Sequence, residues 1–346
     1  MHASKPKTGA LFNPHIVDGL GGTNNQRGQL LEALGKKTIS LPAKFFYDTL
    51  GSRLFEAITE LDEYYLPRIE ATILKQSAQD MAAVLPQNPL LIDLGAGNCA
   101  KAESLFSWLK PSGYLALDVS LDHLKGHLIA LSERHMALPL AAWGLDFFEG
   151  LELNQSLSDW LEAYALFDKP WVLFYPGSSI GNFSAAESHN LLKSFHRFCR
   201  HSAHYGQSGL LIGVDCPKSI QILEAAYDDA LGVTAAFNRN ILRNVNRIAG
   251  TNFDPSTWEH LALFNPDESR IEMYLKSRCD QTINWVGGSR TFLGKELIHT
   301  ENSYKWTDQD FTKLLQSSGF ATTLRWTDSQ QWFSLYWSSC TSCPSP

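Results

Sequence analysis

Short apolar runs and amphipathic stretches alternate along the chain from about residue 70 onward. Each apolar run is four to six residues long, which is typical of a strand buried on both faces of a parallel sheet. The predicted strands are 90–94, 114–118, 140–143, 171–175 and 209–214, and the predicted helices are 69–84, 101–109, 121–131, 157–166 and 185–198. This order of strands and helices predicts βαβ units with right-handed crossovers, and therefore a doubly wound α/β sheet.

Two of these strands end in residues that are suited to contact a ligand. The first runs into Asp93-Leu-Gly-Ala-Gly97, and the second ends at Asp118, which follows Gly95 by 23 residues. Gly95 and Gly97 let the backbone approach a ligand closely, because neither carries a Cβ atom. A carboxylate at the end of the second strand can accept hydrogen bonds from both ribose hydroxyls. The pair of features predicts a site for a ligand that contains adenosine.

The spacing alone leaves three interpretations open. The run from Gly95 to Ala100 fits the G-x-G-x-x-G/A pattern of nicotinamide and flavin dinucleotide-binding domains. The same run, preceded by Asp93, fits the pattern of S-adenosylmethionine-dependent methyltransferases, with Cys99 where a third glycine often stands. A glycine turn with a purely structural role is the third interpretation.

The C-terminal part of the chain favours the methyltransferase interpretation. Thr307 is a good N-cap for a helix over 308–318, and Gly319 is a good C-cap. Strands are predicted at 321–325 and 332–337, on either side of a polar turn. A last helix followed by a two-stranded antiparallel hairpin is how the sheet of a class I methyltransferase ends, whereas a dehydrogenase sheet does not normally end so. By this analogy of fold, the alternating part of the chain is a methyltransferase domain.

Residues 218–303 interrupt the alternation. Helices are predicted at 220–229 and 232–246, and then period-two patterning predicts strands near 259–264, 270–277 and 282–286, with a hairpin turn at Gly287-Gly288. An insertion of this size forms a smaller α+β lobe. We expect a methyltransferase domain made of 69–217 and 304–346 and a substrate-binding domain made of 14–68 and 218–303, with the substrate in the cleft between them.

Composition and charge restrict the class of partner. Of 346 residues, 44% are apolar and 19% are charged, which is a globular composition, and the net charge is −7. This acidic balance argues against binding to nucleic acid or to an anionic membrane surface, since both need clustered Lys and Arg. No apolar segment follows the first residues and no window of 18 uninterrupted apolar residues occurs, so a soluble cytoplasmic protein is expected. A small-molecule substrate and a monomeric state are expected.

Two groups of potential metal ligands have simpler explanations, so no metal is predicted. The pair Cys340 and Cys343 forms a lone CxxC near the last residue, without a second pair of ligands, and is interpreted as a frayed tail. The second group lies in or just after an amphipathic helix whose last turn carries His and Arg; it consists of His196, Cys199, His201 and His204.

Seven motifs, spread in order over the chain, carry a resemblance to a known family. They are Leu41-Pro-Ala-Lys-Phe-Phe-Tyr-Asp, Gly51-Ser-Arg-Leu-Phe-Glu-Ala-Ile-Thr, Glu63-Tyr-Tyr-Leu-Pro-Arg-Ile-Glu, Gly177-Ser-Ser-Ile-Gly-Asn-Phe, Ala226-Tyr-Asp-Asp, Phe237-Asn-Arg-Asn and Thr300-Glu-Asn-Ser. Together they closely resemble the L-histidine Nα-methyltransferase family of ergothioneine biosynthesis. The resemblance extends from about Leu41 to the last helix. It implies a class I fold with S-adenosyl-L-methionine as cofactor, and trimethylation of the α-amine of L-histidine to hercynine.

The resemblance also implies roles for individual residues. The implied cofactor contacts are Tyr47, Gly95, Gly97, Lys101, Asp118 and the pair Asp146 and Phe147 beside the adenine. The implied substrate contacts are Tyr64, Asn182 and Tyr227 at the amino and carboxylate ends, Glu301, Asn302 and Ser303 at the imidazole, and Met273 beside the ring. Tyr47, Asn182 and Tyr64 are the implied catalytic residues.

The chemistry of these side chains supports the assignment. An amide such as Asn182 can accept from an amine and donate to a carboxylate, and Glu301 and Ser303, two apart on an extended segment, face the same side. Without the ordered motifs, Tyr47, Tyr64, Tyr227 and Met273 would be interpreted as core residues and Asn182 as a turn residue. Three alternatives stay open: N-methylation of another amino acid or histidine derivative, a nicotinamide-dependent oxidoreductase, and a non-catalytic binding protein.

Overall fold

A computed structural model describes residues 14–19, 23–147, 150–321 and 323–341 of the chain. The strands, in chain order, are β1 (His15–Asp18), β2 (Ile39–Ser40), β3 (Leu90–Leu94), β4 (Gly113–Asp118), β5 (Leu140–Gly144), β6 (Trp171–Tyr175), β7 (Gly209–Asp215), β8 (Trp258–Asn265), β9 (Arg270–Ser277), β10 (Gln281–Trp285), β11 (Gly288–Phe292), β12 (Leu297–Tyr304), β13 (Thr323–Thr327) and β14 (Phe333–Ser339). The α-helices are α1 (Thr23–Gly35), α2 (Thr49–Thr59), α3 (Leu66–Gln76), α4 (Ala78–Val84), α5 (Ala100–Glu103), α6 (Phe106–Leu109), α7 (Leu121–Arg134), α8 (Gln155–Ala163), α9 (Ala185–Phe198), α10 (Ile220–Ala225), α11 (Val233–Ala249) and α12 (Asp308–Ser317).

The larger sheet of the described residues has eight strands in the order β1-β5-β4-β3-β6-β7-β14-β13. All pairs from β1 to β7 are parallel, and β14 is antiparallel to both of its neighbours. This order confirms the doubly wound sheet with a terminal antiparallel hairpin. Strands β3 to β7 are buried along nearly their whole length, because helices cover both faces of the sheet.

The hydrophobic core is divided by this sheet into two clusters. Successive strand residues point to opposite faces, so Leu90 and Ile92 belong to one cluster and Leu91 to the other. The cluster that contains Leu91 continues into the second lobe through residues of α11 such as Phe237 and Ile241. The second lobe therefore shares a core with one face of the sheet, and this joins the two parts of the molecule.

The smaller lobe is built on a four-stranded sheet in the order β2-β12-β9-β8, with a separate β10–β11 hairpin. The predicted strands are confirmed, but the hairpin turn lies one residue earlier than predicted, at Val286-Gly287, since Trp285 pairs with Gly288 and Gly287 has a φ of 93°. A β-bulge between His299 and Glu301 shifts the register of β12 against β9. Such a bulge re-aims the side chains that follow it, and here these are Glu301 and Ser303.

Several boundaries differ from the sequence-based expectations. The helix predicted over 69–84 is two helices, α3 and α4, that meet at Ser77, and the helix predicted over 101–109 is the short pair α5 and α6. Segment 14–68 begins with β1, which pairs with β5 in the larger sheet. The N-cap at Thr307 is confirmed, since its Oγ1 accepts the Asp310 N–H, and Gly319 adopts a φ of 105° after the helix. Among the described residues, every helix is too short or too polar to cross a bilayer.

Candidate active site

The glycine loop lies at the carboxyl end of β3 and closes on the end of β4. Gly95 and Gly97 have φ angles of 78° and 52°, in the left-handed region that favours glycine. A Cβ atom added at either position would meet no protein atom within 4 Å, so the space beside the loop is open. The Gly97 N–H donates to Oδ2 of Asp118 at 2.9 Å, and the Ser120 N–H donates to Oδ1 at 2.8 Å. The loop and the carboxylate therefore form one unit.

Burial and hydrogen bonding shift the pKa of the Asp118 carboxyl in opposite directions. Burial raises the pKa of this carboxyl above its ordinary value, and the N–H groups of Ser120 and Gly97 oppose the shift. Each carboxylate oxygen can accept more than one hydrogen bond, so both retain capacity for ribose hydroxyls. Asp93, the acidic residue just before the glycine loop, is instead buried in the sheet. Its Oδ2 accepts a hydrogen bond from the Tyr114 hydroxyl at 2.7 Å.

Lys101 contacts a residue that the sequence analysis did not single out. Its Nζ donates to Oε2 of Glu70 at 2.6 Å, and the fully buried Glu70 carboxylate also accepts the Gly177 N–H at 2.9 Å. Glu70 thus ties the helix after the glycine loop to the loop that carries Asn182. The only local signal for this role was the position of Glu70 at the end of the third motif of the resemblance.

A cleft of about 630 Å³ lies beside the glycine-loop end of the sheet, and Tyr47 and Asp146 are among its lining residues. Lys44 donates to Oδ2 of Asp146 at 2.7 Å. The ring of Phe147 packs edge-on against Tyr175 in the core, with centroids 5.8 Å apart. The open loop, the Asp118 oxygens and this cleft suit an adenosine group. Tyr47 and Asp146 line the cleft itself, and Val119, the residue after Asp118, lines it too.

A second cavity of about 500 Å³ adjoins this cleft, and Tyr47 lines both. Its walls come from both lobes: α2, the loop after β6, the segment after α10, and strands β9 and β12. It brings together seven of the residues implied by the resemblance, which are Tyr47, Tyr64, Asn182, Tyr227, Met273, Glu301 and Ser303. Residues about 250 positions apart in the sequence thus meet in one cavity.

Asn302 lies apart from this group. Side chains alternate along a strand, so the residue between Glu301 and Ser303 faces the other side of β12. There Oδ1 of Asn302 accepts from Nε2 of His299 at 2.9 Å. On the cavity side, Met273 is directly opposite Glu301 in the β9–β12 register.

Glu301 is a cavity side chain whose pKa is shifted into the neutral range. Burial raises the pKa of its carboxyl to about 7, although Lys305 and a hydrogen bond from Asn182 oppose the shift. The Tyr64 and Tyr47 phenols have pKa values well above the ordinary value, chiefly because they are buried. At neutral pH both phenols are therefore protonated, and Glu301 exchanges between two protonation states.

A buried ion network behind β12 holds the hydroxyls of Ser303 and Tyr227. Lys305 is fully buried; its Nζ donates to Oγ of Ser303 at 2.7 Å and to the Tyr227 hydroxyl at 3.3 Å, and it pairs with Oδ2 of Asp215 at 2.8 Å. The two hydroxyl oxygens are 2.6 Å apart. An ammonium group only donates, so both hydroxyls accept from Lys305, and one of their two hydrogens is left to point into the cavity.

Asp215 is the shared anion of this network. Besides Lys305 it accepts from Lys218 and from the Tyr65 hydroxyl. Burial by itself would raise the pKa of Asp215, but the two lysines reverse the effect and hold it below the ordinary value. Neither Asp215 nor Lys305 could be identified from the sequence, since an isolated charge at a strand end carries no local signal of burial.

The two groups of potential metal ligands set aside in the sequence have packing contacts where the structure describes them. His196 hydrogen-bonds the Tyr205 hydroxyl at 2.8 Å, and His201 stacks on Trp171. Cys340 is buried, and Cys343 lies outside the described residues.

The parallel sheet with its terminal antiparallel hairpin, the glycine loop and the Asp118 carboxylate together define a class I methyltransferase. Residues 26–340 match the family described as "Histidine-specific methyltransferase, SAM-dependent", and the chain belongs to this family. S-adenosylmethionine is accordingly its cofactor.

Characterised relatives support the same grouping. The chain is 34% identical to a histidine N-alpha-methyltransferase of Mycolicibacterium smegmatis, over 84% of this chain and 87% of the relative. It is 31% identical to a protein of the same name from Mycobacterium tuberculosis, over 87% and 91% of the two chains. It is also 31% identical to ergothioneine biosynthesis protein 1 of Neurospora crassa, where the match covers 83% of this chain and 32% of that longer protein.

Proposed function

We propose that this protein transfers three methyl groups in succession from S-adenosylmethionine to the α-nitrogen of L-histidine, giving hercynine for ergothioneine biosynthesis. One observation carries the proposal: the cavity next to the cofactor cleft has a carboxylate, a hydroxyl pair and an amide on its walls, supplied by both lobes. This donor and acceptor set matches the polar groups of histidine. Family membership and the names of the relatives support the same substrate.

The amino-acid end of the substrate is assigned to the part of the cavity nearest the cofactor cleft. Tyr47 lines both spaces, and Asn182 lies in the loop that Glu70 ties to Lys101. The Asn182 amide can accept from the α-amine and donate to the carboxylate. Tyr64, whose ring packs against Tyr227 with centroids 6.0 Å apart, supplies a second hydroxyl at this end. Their task is to hold the amine lone pair in line with the transferred methyl group.

The imidazole end is assigned to β12. Glu301 accepts one ring N–H, and the hydroxyl pair of Ser303 and Tyr227 donates its remaining hydrogen to the other ring nitrogen. The resemblance implied that Tyr227 contacts the amino-acid end; it is assigned to the imidazole end here because its hydroxyl lies 2.6 Å from Oγ of Ser303. Met273, opposite Glu301 in the register, lies beside the ring. An indole has a single ring N–H and no acceptor nitrogen, so it would leave the hydroxyl pair without a partner. This arrangement favours histidine over tryptophan.

Methyl transfer requires little acid–base catalysis by the protein. The cofactor supplies an already activated methyl group, so orientation and exclusion of water are the main contributions of the chain. The α-ammonium must lose a proton before each attack. The raised pKa values of Tyr47 and Tyr64 keep these phenols protonated, so they serve as hydrogen-bond partners and the proton leaves through water.

The proposal extends to the division of the chain into domains, its oligomeric state and its location. We infer that 69–217 with 304–346 bind the cofactor and that 14–68 with 218–303 bind the substrate, which the separate four-stranded sheet supports. Within 14–68, β1 instead joins the larger sheet, and Tyr47 lines both the cofactor cleft and the substrate cavity. Both halves of the site come from one chain, so a monomer is sufficient for activity; light scattering at the assay concentration tests this. The buried free thiols of Cys99, Cys199 and Cys216 suit the reducing cytoplasm.

Mass spectrometry of the products tests the function directly. The purified protein is incubated with S-adenosylmethionine and, separately, L-histidine, L-tryptophan or a thiolated histidine. We expect gain of one, two and three methyl groups on L-histidine, with fragmentation placing all of them on the α-nitrogen. Methylation of a ring nitrogen, or faster methylation of either other compound, would overturn the assignment. Cofactor binding without any methylation would point to a binding protein.

A further inference from the structure

Two histidines and a glutamate face one another at the surface, away from both cavities. His123 and His127 lie on α7, and Glu56 lies on α2. Nε2 of His123 is 3.4 Å from Oε1 of Glu56, and Nε2 of His127 is 3.7 Å from the same oxygen. One ligand atom from each of the three residues lies within 4.8 Å of the other two. The group contains three potential metal ligands from two helices.

The positions of the histidines on α7 favour joint ligation. Residues at i and i+4 are neighbours on the same face of a helix, which is the spacing that helical zinc motifs use. The two imidazole rings are 4.7 Å apart between centroids and inclined at 65°. The rings therefore converge on the Glu56 carboxylate without stacking on each other.

The separations fit a shared cation better than direct ion pairs. A charge-assisted N–H···O hydrogen bond is about 2.7–2.9 Å long. The two observed separations, 3.4 and 3.7 Å, are longer than that. Ligand atoms about 2.0–2.1 Å from a tetrahedral Zn²⁺ are separated from one another by roughly 3.4 Å. Small side-chain adjustments would bring all three atoms to ligation distance.

The group is also accessible from solvent. The side chain of His123 is 13% exposed, and those of His127 and Glu56 are 37% and 39% exposed. An ion can thus enter, and water can complete the fourth position. Imidazole ligands favour zinc and similar transition metals, whereas Mg²⁺ and Ca²⁺ favour sites made of oxygen atoms alone.

We propose that Glu56, His123 and His127 bind one Zn²⁺ ion that fastens α2 to α7. The two helices border different parts of the active site. Phe55 and Ile58, on either side of Glu56, line the substrate cavity, and α7 begins just after Asp118. The Ser52 hydroxyl already reaches the Ser120 hydroxyl at 3.3 Å. The ion adds a second link between the substrate-cavity wall and the cofactor-binding strand, and its binding is independent of the proposed substrate.

Zinc binding is measured on the tag-free, full-length chain by competition with a chromogenic chelator. Cys279 and Cys343 are replaced by Ser throughout, so that thiols do not compete. We expect one zinc equivalent per chain, and at least about tenfold weaker binding in His127→Gln and in Glu56→Gln, since even partners that only orient a metal ligand are worth about 10–100-fold. Zn²⁺ should also raise the midpoint of thermal unfolding of the parent protein but not of the variants.

His135→Gln is the matched control. His135 also pairs with a glutamate, Glu103, at 2.8 Å, but this pair is not among the three-ligand groups of the described residues. Its zinc affinity should equal that of the parent. The proposal is overturned by unchanged affinity in His127→Gln and Glu56→Gln, by equal losses in His135→Gln, or by equal stabilisation with Mg²⁺. Midpoints of the metal-free proteins show whether the variants fold.

Discussion

The glycine loop and strand β12 both present polar groups to the active site, but they are built in different ways. The loop uses backbone geometry: positive φ at Gly95 and Gly97, and N–H groups that hold Asp118. Strand β12 uses side chains, whose protonation and hydrogen-bond direction depend on the buried Lys305 and Asp215. A site made from backbone depends on a few neighbouring residues, whereas a site made from side chains depends on residues far away in the sequence.

The largest effect is expected when the network behind β12 is broken. Lys305→Met leaves Asp215 buried with only one of its two lysines. Breaking a buried ion pair in this way typically costs about 3–5 kcal/mol of unfolding free energy. Urea denaturation measures the loss. Lys276→Met, which removes a partly exposed pair with Glu259, is the control and should change stability by less than about 1 kcal/mol. Equal losses in the two variants would contradict the role of the network.

The substrate side is tested by Glu301→Ala. The variant leaves an imidazole N–H without its acceptor, which costs about 1–3 kcal/mol, or roughly 5–150-fold in histidine affinity. The affinity for S-adenosylmethionine should stay nearly unchanged, because Glu301 lies in the other cavity. Isothermal titration calorimetry with each ligand measures both values. Equal losses for cofactor and histidine would refute the separation of the two regions.

Histidine affinity should also depend on pH through Glu301. Its pKa is raised to about 7, so the carboxylate acceptor is lost as the pH falls through 7. Below that value the dissociation constant for histidine should rise by up to about tenfold per pH unit, since one proton must be released on binding. Glu301→Gln cannot titrate, so it should remove this part of the dependence. A parallel pH profile in parent and variant would assign the titration to another group.

Gly97→Ala tests the glycine loop, the part of the site that is built from backbone groups. At a φ of 52°, a Cβ atom costs roughly 1–2 kcal/mol, and relief of this strain would move the loop. S-adenosylmethionine affinity should fall by about 5–30-fold while histidine affinity changes little. Gly126→Ala, in the middle of α7 with space for a Cβ, is the control and should leave cofactor binding intact. A similar loss of cofactor binding in both variants would show that strain in the loop is not the cause.

The smallest effect is expected at Asn302, between the two residues of β12 that line the cavity, Glu301 and Ser303. The resemblance to the family placed it among the substrate contacts, but its side chain pairs with His299 on the opposite face. We expect Asn302→Ala to change histidine affinity by less than about twofold, as measured by calorimetry. A loss as large as that of Glu301→Ala would mean that this part of the strand changes its register when the substrate binds.

Much of the fold could be predicted because its signals are local. Buried strands such as β3 and β6 are continuous apolar runs, and the caps of α12 are visible in Thr307 and Gly319. The break between α3 and α4 could not be predicted, since Ser77 is compatible with a helix interior and tertiary packing decides whether the helix continues. The pairing of β1 with β5 was missed for the same reason, since four residues carry little pattern.

Residue types at short, fixed spacings were sufficient to predict the doubly wound sheet and the glycine loop, and seven ordered motifs were sufficient to predict the family. Folding sets the face of β12 on which Asn302 lies, the raised pKa of Glu301 and the direction of the Ser303 and Tyr227 hydrogen bonds. Lys305 and Asp215 are 90 positions apart in the chain, and their pairing arises from burial in a common core. Burial and charge pairing are properties of the folded chain, so no local pattern of residues contains them.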